Sequence, residues 1–168
     1  VELGLISSST TFGMLTGAIG FGMLADRFGR RSMMQLNILL FALFTGFSAL
    51  AQDYNQLMIL RFIAGLGLGG LVPVDTSYLS EYTPSKWRGR FMAWNQAFQG
   101  QGMTAAYAIG FLVTVPFGWR WAFLVGVLPA LLVFFIRRGL PESVRHLIRQ
   151  GRLDEAEKTV SVIESKVL

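Results

Sequence analysis

The chain has 168 residues, 52% hydrophobic and 15% charged, with no cysteine. A soluble domain carries about 25% charged residues and shows polar faces that the apolar runs here lack, so this composition argues against a soluble fold. Without cysteine, disulfide and thiolate-metal chemistry drop out as well. The formal net charge of +5 invites a nucleic-acid reading, yet thirteen of the fifteen Lys and Arg residues fall at Arg27–Arg31, at Lys86–Arg90 or from Arg137 onward. Basic residues that gather in alternate loops form the positive-inside pattern of a polytopic membrane protein.

Two apolar runs open the chain, Leu3–Ala25 and Ser32–Gln52, and neither contains a charged residue. About 20 residues at a helical rise suffice to cross the hydrocarbon core, so each predicts a membrane-spanning helix. Gly13 and Gly17 give the first run a small-xxx-small face for close helix packing. Between the runs lies Gly22-Met-Leu-Ala-Asp-Arg-Phe-Gly-Arg-Arg31, a very short turn at a membrane surface. Gly22 allows a neighbouring backbone to approach, and Gly29 can take the positive φ of a tight reversal. Asp26 lies at the C-terminal end of its helix, the unfavourable end for an acid; Arg30, four residues on, is the near candidate for its partner. Asp53-Tyr-Asn-Gln56 forms the next turn.

The third run, about 57–80, differs in kind because it holds Arg61 and Asp75. An unpaired charge inside a membrane costs a few kcal/mol or more, so intramembrane ionisable groups read as functional. Fourteen residues apart, the two lie within about 40° of one helical face but roughly 21 Å apart along the axis. They cannot pair with each other, and each needs a partner on another helix or in a water-filled cavity. Gly65 and Gly69 between them suit close helix crossing. The fourth run, about 91–116, carries Gln96, Gln99, Met103 and Tyr107 at i, i+3, i+7 and i+11, a face suited to a cavity; Asn95 and Gln96, near its cytoplasmic end, also suit an interface. A Trp-flanked turn, Gly118-Trp-Arg-Trp121, matches an aromatic belt and leads into the fifth run, about 119–136, which holds Pro129. From residue 137 to 168 the composition turns polar, with amphipathic helical spacing at Leu153, Ala156, Val160, Ile163 and Val167.

Gly-Met-Leu-Ala-Asp-Arg-Phe-Gly-Arg-Arg at 22–31 closely resembles the loop signature between the second and third transmembrane helices of the major facilitator superfamily. Glu81-Tyr-Thr-Pro-Ser-Lys-Trp-Arg-Gly-Arg90 is similar to the Glu-x-x-Pro-x-x-x-Arg-Gly loop of its sugar-porter-like branch. Pro141-Glu-Ser-Val-Arg145, followed by Gly-Arg-Leu-Asp-Glu-Ala at 151–156, looks like that branch's loop after helix six. The resemblance implies an all-α polytopic membrane bundle. Residues 1–136 correspond to helices two to six of an N-terminal six-helix half, and 137–168 to the start of a cytoplasmic interdomain loop. A first helix, a second six-helix half and the lipid bilayer are the implied partners; no nucleic acid, cofactor or metal is expected. An inner (plasma) membrane location follows from the same resemblance.

No nucleophile–base pair, metal-ligand cluster or phosphate loop is present, so an enzyme is not expected. The resemblance implies a secondary transporter working by alternating access around a midplane site. It also implies a cytoplasmic gate network at Asp26 and Arg30, Glu81 and Arg88, and Glu142 and Arg145. Two departures bear on substrate. Sugar porters carry a sugar-binding Gln just after the Gly corresponding to Gly102, where this chain has Met103, and Val144 replaces the proline of Pro-Glu-Ser-Pro-Arg. Asp75 after Pro73 and Val74 resembles the aromatic-acid and niacin-type relatives instead. The expectation is proton-coupled uptake of a small organic acid, with Asp75, Arg61, Gln99, Gln96 and Tyr107 as candidate coupling or substrate residues. Sugar or organic-cation transport, or a non-transporting scaffold, are the alternatives.

Overall fold

The computed structural model describes residues 2–137, together with 147, 148, 151–154, 157 and 161. Five helices follow one another: α1 (Glu2–Phe28), α2 (Arg30–Ser48), α3 (Tyr54–Tyr82), α4 (Arg88–Phe117) and α5 (Trp119–Arg137). No strand occurs among the described residues. Compared with the apolar runs, α2 stops earlier, at Ser48, because Ala49 and Leu50 turn to i−3 acceptors, Gly46 and Phe47. At their basic ends, α3 and α4 extend past the apolar stretch into the polar loop. α5 runs through Pro129 as one helix. Of the amphipathic segment foreseen at 137–168, only a few residues are described.

Two reversals take a single residue each. Gly29 sits between α1 and α2 at φ 95°, ψ 141°, where its amide closes α1 on the Ala25 carbonyl at 3.1 Å and its carbonyl opens α2 on the Met33 amide at 3.2 Å. Gly118 links α4 to α5 at φ 87°, its amide closing α4 on the Thr114 carbonyl at 2.9 Å. A Cβ would be strained at either position, so the glycine permits the connection.

α3 is the central helix, flanked by α1 and α2; α5 packs on α2, and α4 meets α5 more than α3. The α1–α3 crossing is backbone to backbone. A Cβ at Gly13 or Gly17 would overlap the Phe62 or Leu66 carbonyl, and one at Gly65 or Gly69 would overlap the Thr10 or Met14 carbonyl. Two glycine pairs spaced by four, facing each other, bring the axes together as small-xxx-small packing requires. Gly22 behaves differently: a Cβ there would meet only the Pro73 Cγ, at 4.0 Å, so close approach is not its role. Gly67 and Gly70, on another face of α3, admit Asn37 of α2 instead. Near the basic end, Ala25, Met33, Met34 and Val74 form a buried cluster flanked by Phe21 and Tyr78.

Much of the apolar surface faces outward. On α1, Phe12, Leu15, Ile19 and Met23 form an exposed stripe, the inverse of a water-soluble bundle. By length and apolar composition alone, only α3 (as Tyr54–Ser80) among the described helices meets the measure of a membrane span. α1, α2 and α4 are diluted by Ser, Thr, Gln and Gly, and α5 is apolar but short. Several helix hydroxyls are satisfied locally: Thr10 donates to the Ile6 carbonyl, Thr11 to Ser7, Ser48 to Phe44 and Thr104 to Gly100. Such i−4 bonds let hydroxyls sit in an apolar helix without stranding a donor.

Candidate functional site

Asp75 lies two turns from the basic end of α3 and is half-buried. One carboxylate oxygen, Oδ2, accepts from Asn95 Nδ2 on α4 at 3.3 Å. Asn95 Oδ1 in turn accepts from Gln99 Nε2, one turn further along α4, at 3.1 Å. The pattern has a chemical logic. A carboxylate only accepts, so the amide that meets it must present its NH2, and its carbonyl is then left for the next amide. Asp75 and Asn95 lie on the wall of an open groove of about 750 Å³. Trp87, Phe91, Trp94 and Phe98 supply its apolar surface, and Arg90 adds a cation. Arg90 also lies over the Trp87 ring, 5.8 Å from its centroid.

Arg61 is elsewhere. Its Nε donates to Ser48 Oγ at 3.1 Å, and its guanidinium carbon lies 4.5 Å from the Phe123 ring centroid. It therefore ties α3 to the last turn of α2 and to α5, toward the tryptophan-rich end, while Asp75 turns to α4 at the other. Nearby, Arg120 Nη2 donates to the Ala51 carbonyl at 3.0 Å, joining the start of α5 to the α2–α3 turn.

All four residues of the α4 face foreseen from spacing, Gln96, Gln99, Met103 and Tyr107, are exposed, and of these Gln99 joins the chain from Asp75. The adjacent Asn95, read from sequence as an interface residue, is the one that meets Asp75. Arg90 was not singled out either; its signal is a cation two residues beyond Arg88, where the polar loop turns into α4. Asn37 also escaped notice. It is fully buried against α3, and neither of its amide atoms has a hydrogen-bond partner among the described residues. Its signal is an amide flanked by Leu36 and Ile38 in the apolar run of α2.

In the gate network, Asp26 Oδ1 and Arg30 Nη2 are 3.7 Å apart, with Asp26 63% and Arg30 18% exposed. Arg88 is exposed. The Glu81 side chain, and Glu142 and Arg145, lie outside the described residues.

Comparison with known proteins decides the family. Residues 1–166 match the family described as sugar (and other) transporter. The chain belongs to that family. It is an integral membrane protein of major facilitator type, as the resemblance of its three loops implied. It is 44% identical over 97% of its length to a niacin transporter, NiaP, of Acinetobacter baylyi. It is 39% identical over 99% of its length to a 4-hydroxybenzoate transporter, PcaK, of Pseudomonas putida. Its fold superposes on the proton:xylose symporter XylE, bound to 6-bromo-6-deoxy-D-glucose, with a TM-score of 0.87 at 26% identity, covering 96% of this chain and 40% of that one. The chain spans 37% and 38% of the lengths of NiaP and PcaK.

Proposed function

We propose that this chain is part of a secondary transporter that takes up a small aromatic carboxylate together with a proton, with its Arg-rich ends in the cytoplasm. It catalyses no chemical conversion. The observation that carries the reading is Asp75, a carboxylate within α3 that is hydrogen-bonded to α4 on the wall of an aromatic groove. A carboxylate within a membrane-spanning helix is costly to keep there, which marks it as functional. Aromatic rings and Arg90 suit a flat, anionic solute. The names of the two relatives, niacin and 4-hydroxybenzoate transporters, support the same class. Met103, where sugar porters carry their sugar-binding Gln, weighs against a sugar.

The Asp26–Arg30 pair fits a gate held closed in one state. Hydration on opening can break such a pair, which makes it reversible. Arg61, bound to Ser48 and Phe123, acts in this reading as a clamp on the helix bundle and not as a substrate ligand.

The test is uptake by the whole protein in liposomes. Radiolabelled niacin and 4-hydroxybenzoate should accumulate when the outside is acid, and a protonophore should abolish accumulation. Xylose should neither enter nor compete. Saturable sugar uptake, or acid uptake indifferent to the pH gradient, overturns the proposal.

A further inference from the structure

We propose that Asn95 is a positioning residue whose amide, held between Asp75 and Gln99, carries the protonation state of Asp75 to the substrate by reversing its direction. The inference rests on the transport reading above and extends it to the means of coupling.

With Asp75 ionised, the chain has one permitted direction. The carboxylate requires the Asn95 NH2, which leaves Asn95 Oδ1 to accept from Gln99 Nε2. Gln99 then spends a donor on Asn95 and turns its own carbonyl oxygen outward from the pair. When Asp75 binds a proton, its new O–H is a donor and needs an acceptor. Asn95 meets it by rotating its amide half a turn and offering Oδ1. Its NH2 now points to Gln99, which rotates in the same way to accept, and the Gln99 NH2 turns outward. No proton travels along the amides; one proton binds Asp75, and two hydrogen bonds change direction.

Outward carbonyl and outward NH2 have opposite preferences for an anion. A carboxylate solute accepts from an NH2 and is repelled by a carbonyl oxygen. The solute is therefore bound well when Asp75 is protonated and poorly when it is not, so anion and proton enter together.

The charges around Asp75 are compatible with this switch. From α4, Arg90 shares its groove. From α1 and α2, the residues packed at this level of α3 are Phe21, Ala25, Met33 and Met34, none of them charged. Arg90 offsets the charge of a bound anion.

The test measures binding of niacin and 4-hydroxybenzoate to the purified full-length protein in mildly acid and mildly alkaline buffer. The wild type should bind roughly tenfold more tightly in acid, the scale of one charge-assisted hydrogen bond gained. Asn95→Leu should bind with less than about a twofold difference between the two buffers. Its Asp75 should still take up a proton, read as the carboxyl C=O band in infrared difference spectra; a merely structural residue would not separate these two readouts. Gln99→Leu provides a second route should Asn95→Leu not fold, and it should lose affinity in acid with little change in alkali. An Asn95→Leu or Gln99→Leu protein that keeps the full tenfold dependence overturns the relay. Wild-type binding that is indifferent to pH overturns the relay and leaves aromatic-acid transport standing. Wild-type protein that binds neither acid overturns both.

Discussion

Arg61 Nε donates to Ser48 Oγ at 3.1 Å while its guanidinium lies over the Phe123 ring. One side chain thus joins α2, α3 and α5 within the membrane. A hydrogen bond to a charged group and a desolvated cation–π contact together are worth about 2 kcal/mol or more. Arg61→Leu should destabilise the full-length protein by that amount, read as a lower midpoint in detergent thermal unfolding. Ser48→Ala should cost less, since the stacking survives. Arg61→Lys should fall between them, because an ammonium lacks the planar face that stacks on Phe123.

The glycines of α3 and α1 separate by what surrounds them. Gly69→Val places side-chain atoms against the Met14 backbone, and no rotamer relieves a clash with a carbonyl. We expect a loss of about 3 kcal/mol or more, seen as absence of monodisperse protein on size exclusion. Gly22→Ala meets only the Pro73 ring at contact distance. It should be neutral or stabilising by up to about 1 kcal/mol, because alanine restricts the unfolded chain and favours the helix.

Asp26 and Arg30 lie 3.7 Å apart with the acid exposed, and pairs open to water on one side contribute about 0–1 kcal/mol to folding. Asp26→Asn should therefore leave the unfolding midpoint nearly unchanged. In the gate reading it shifts the balance toward the inward-open state. Reduced labelling of a cysteine placed in the outer cavity of the full-length protein measures that shift. Unchanged labelling with normal transport removes Asp26 from the gate.

The charge bias of the loops predicts orientation. Ser85, in the turn between α3 and α4, should be cytoplasmic, and Asn55, at the start of α3, external. Single cysteines at the two positions are compared for reaction with an impermeant maleimide in intact cells. Asn55 should react and Ser85 should not; the reverse inverts the topology.

What could be read from the chain was what depends on order and spacing. The five helices follow from successive apolar runs, and the α1–α2 reversal from a glycine at φ 95°. Gly13, Gly17, Gly65 and Gly69 could be picked out because a spacing of four repeats on one helical face. What escaped depends on how helices rotate against each other. Asn95 and Gln96 differ by 100° about the α4 axis, and spacing within α4 cannot say which turns to Asp75. The Ser48 partner of Arg61 lies on a different helix, so it emerges only from the crossing of α2 and α3. Gly22 falls in the most recognisable motif of the chain yet meets only the Pro73 ring at contact distance, whereas Gly67 admits the α2 backbone at Asn37 and Gly70 the Asn37 side chain.

Proton coupling through Asp75 is tested most directly by comparing net accumulation with exchange in one variant. Asp75→Asn keeps the size of the side chain and its hydrogen bonding to Asn95, and removes only the titration. In liposomes bearing the full-length protein, acid outside should no longer drive niacin or 4-hydroxybenzoate above its external concentration, while exchange of labelled for unlabelled acid continues. Accumulation against a gradient by Asp75→Asn, at a rate near that of the wild type, would contradict the assignment of Asp75 as the coupling residue.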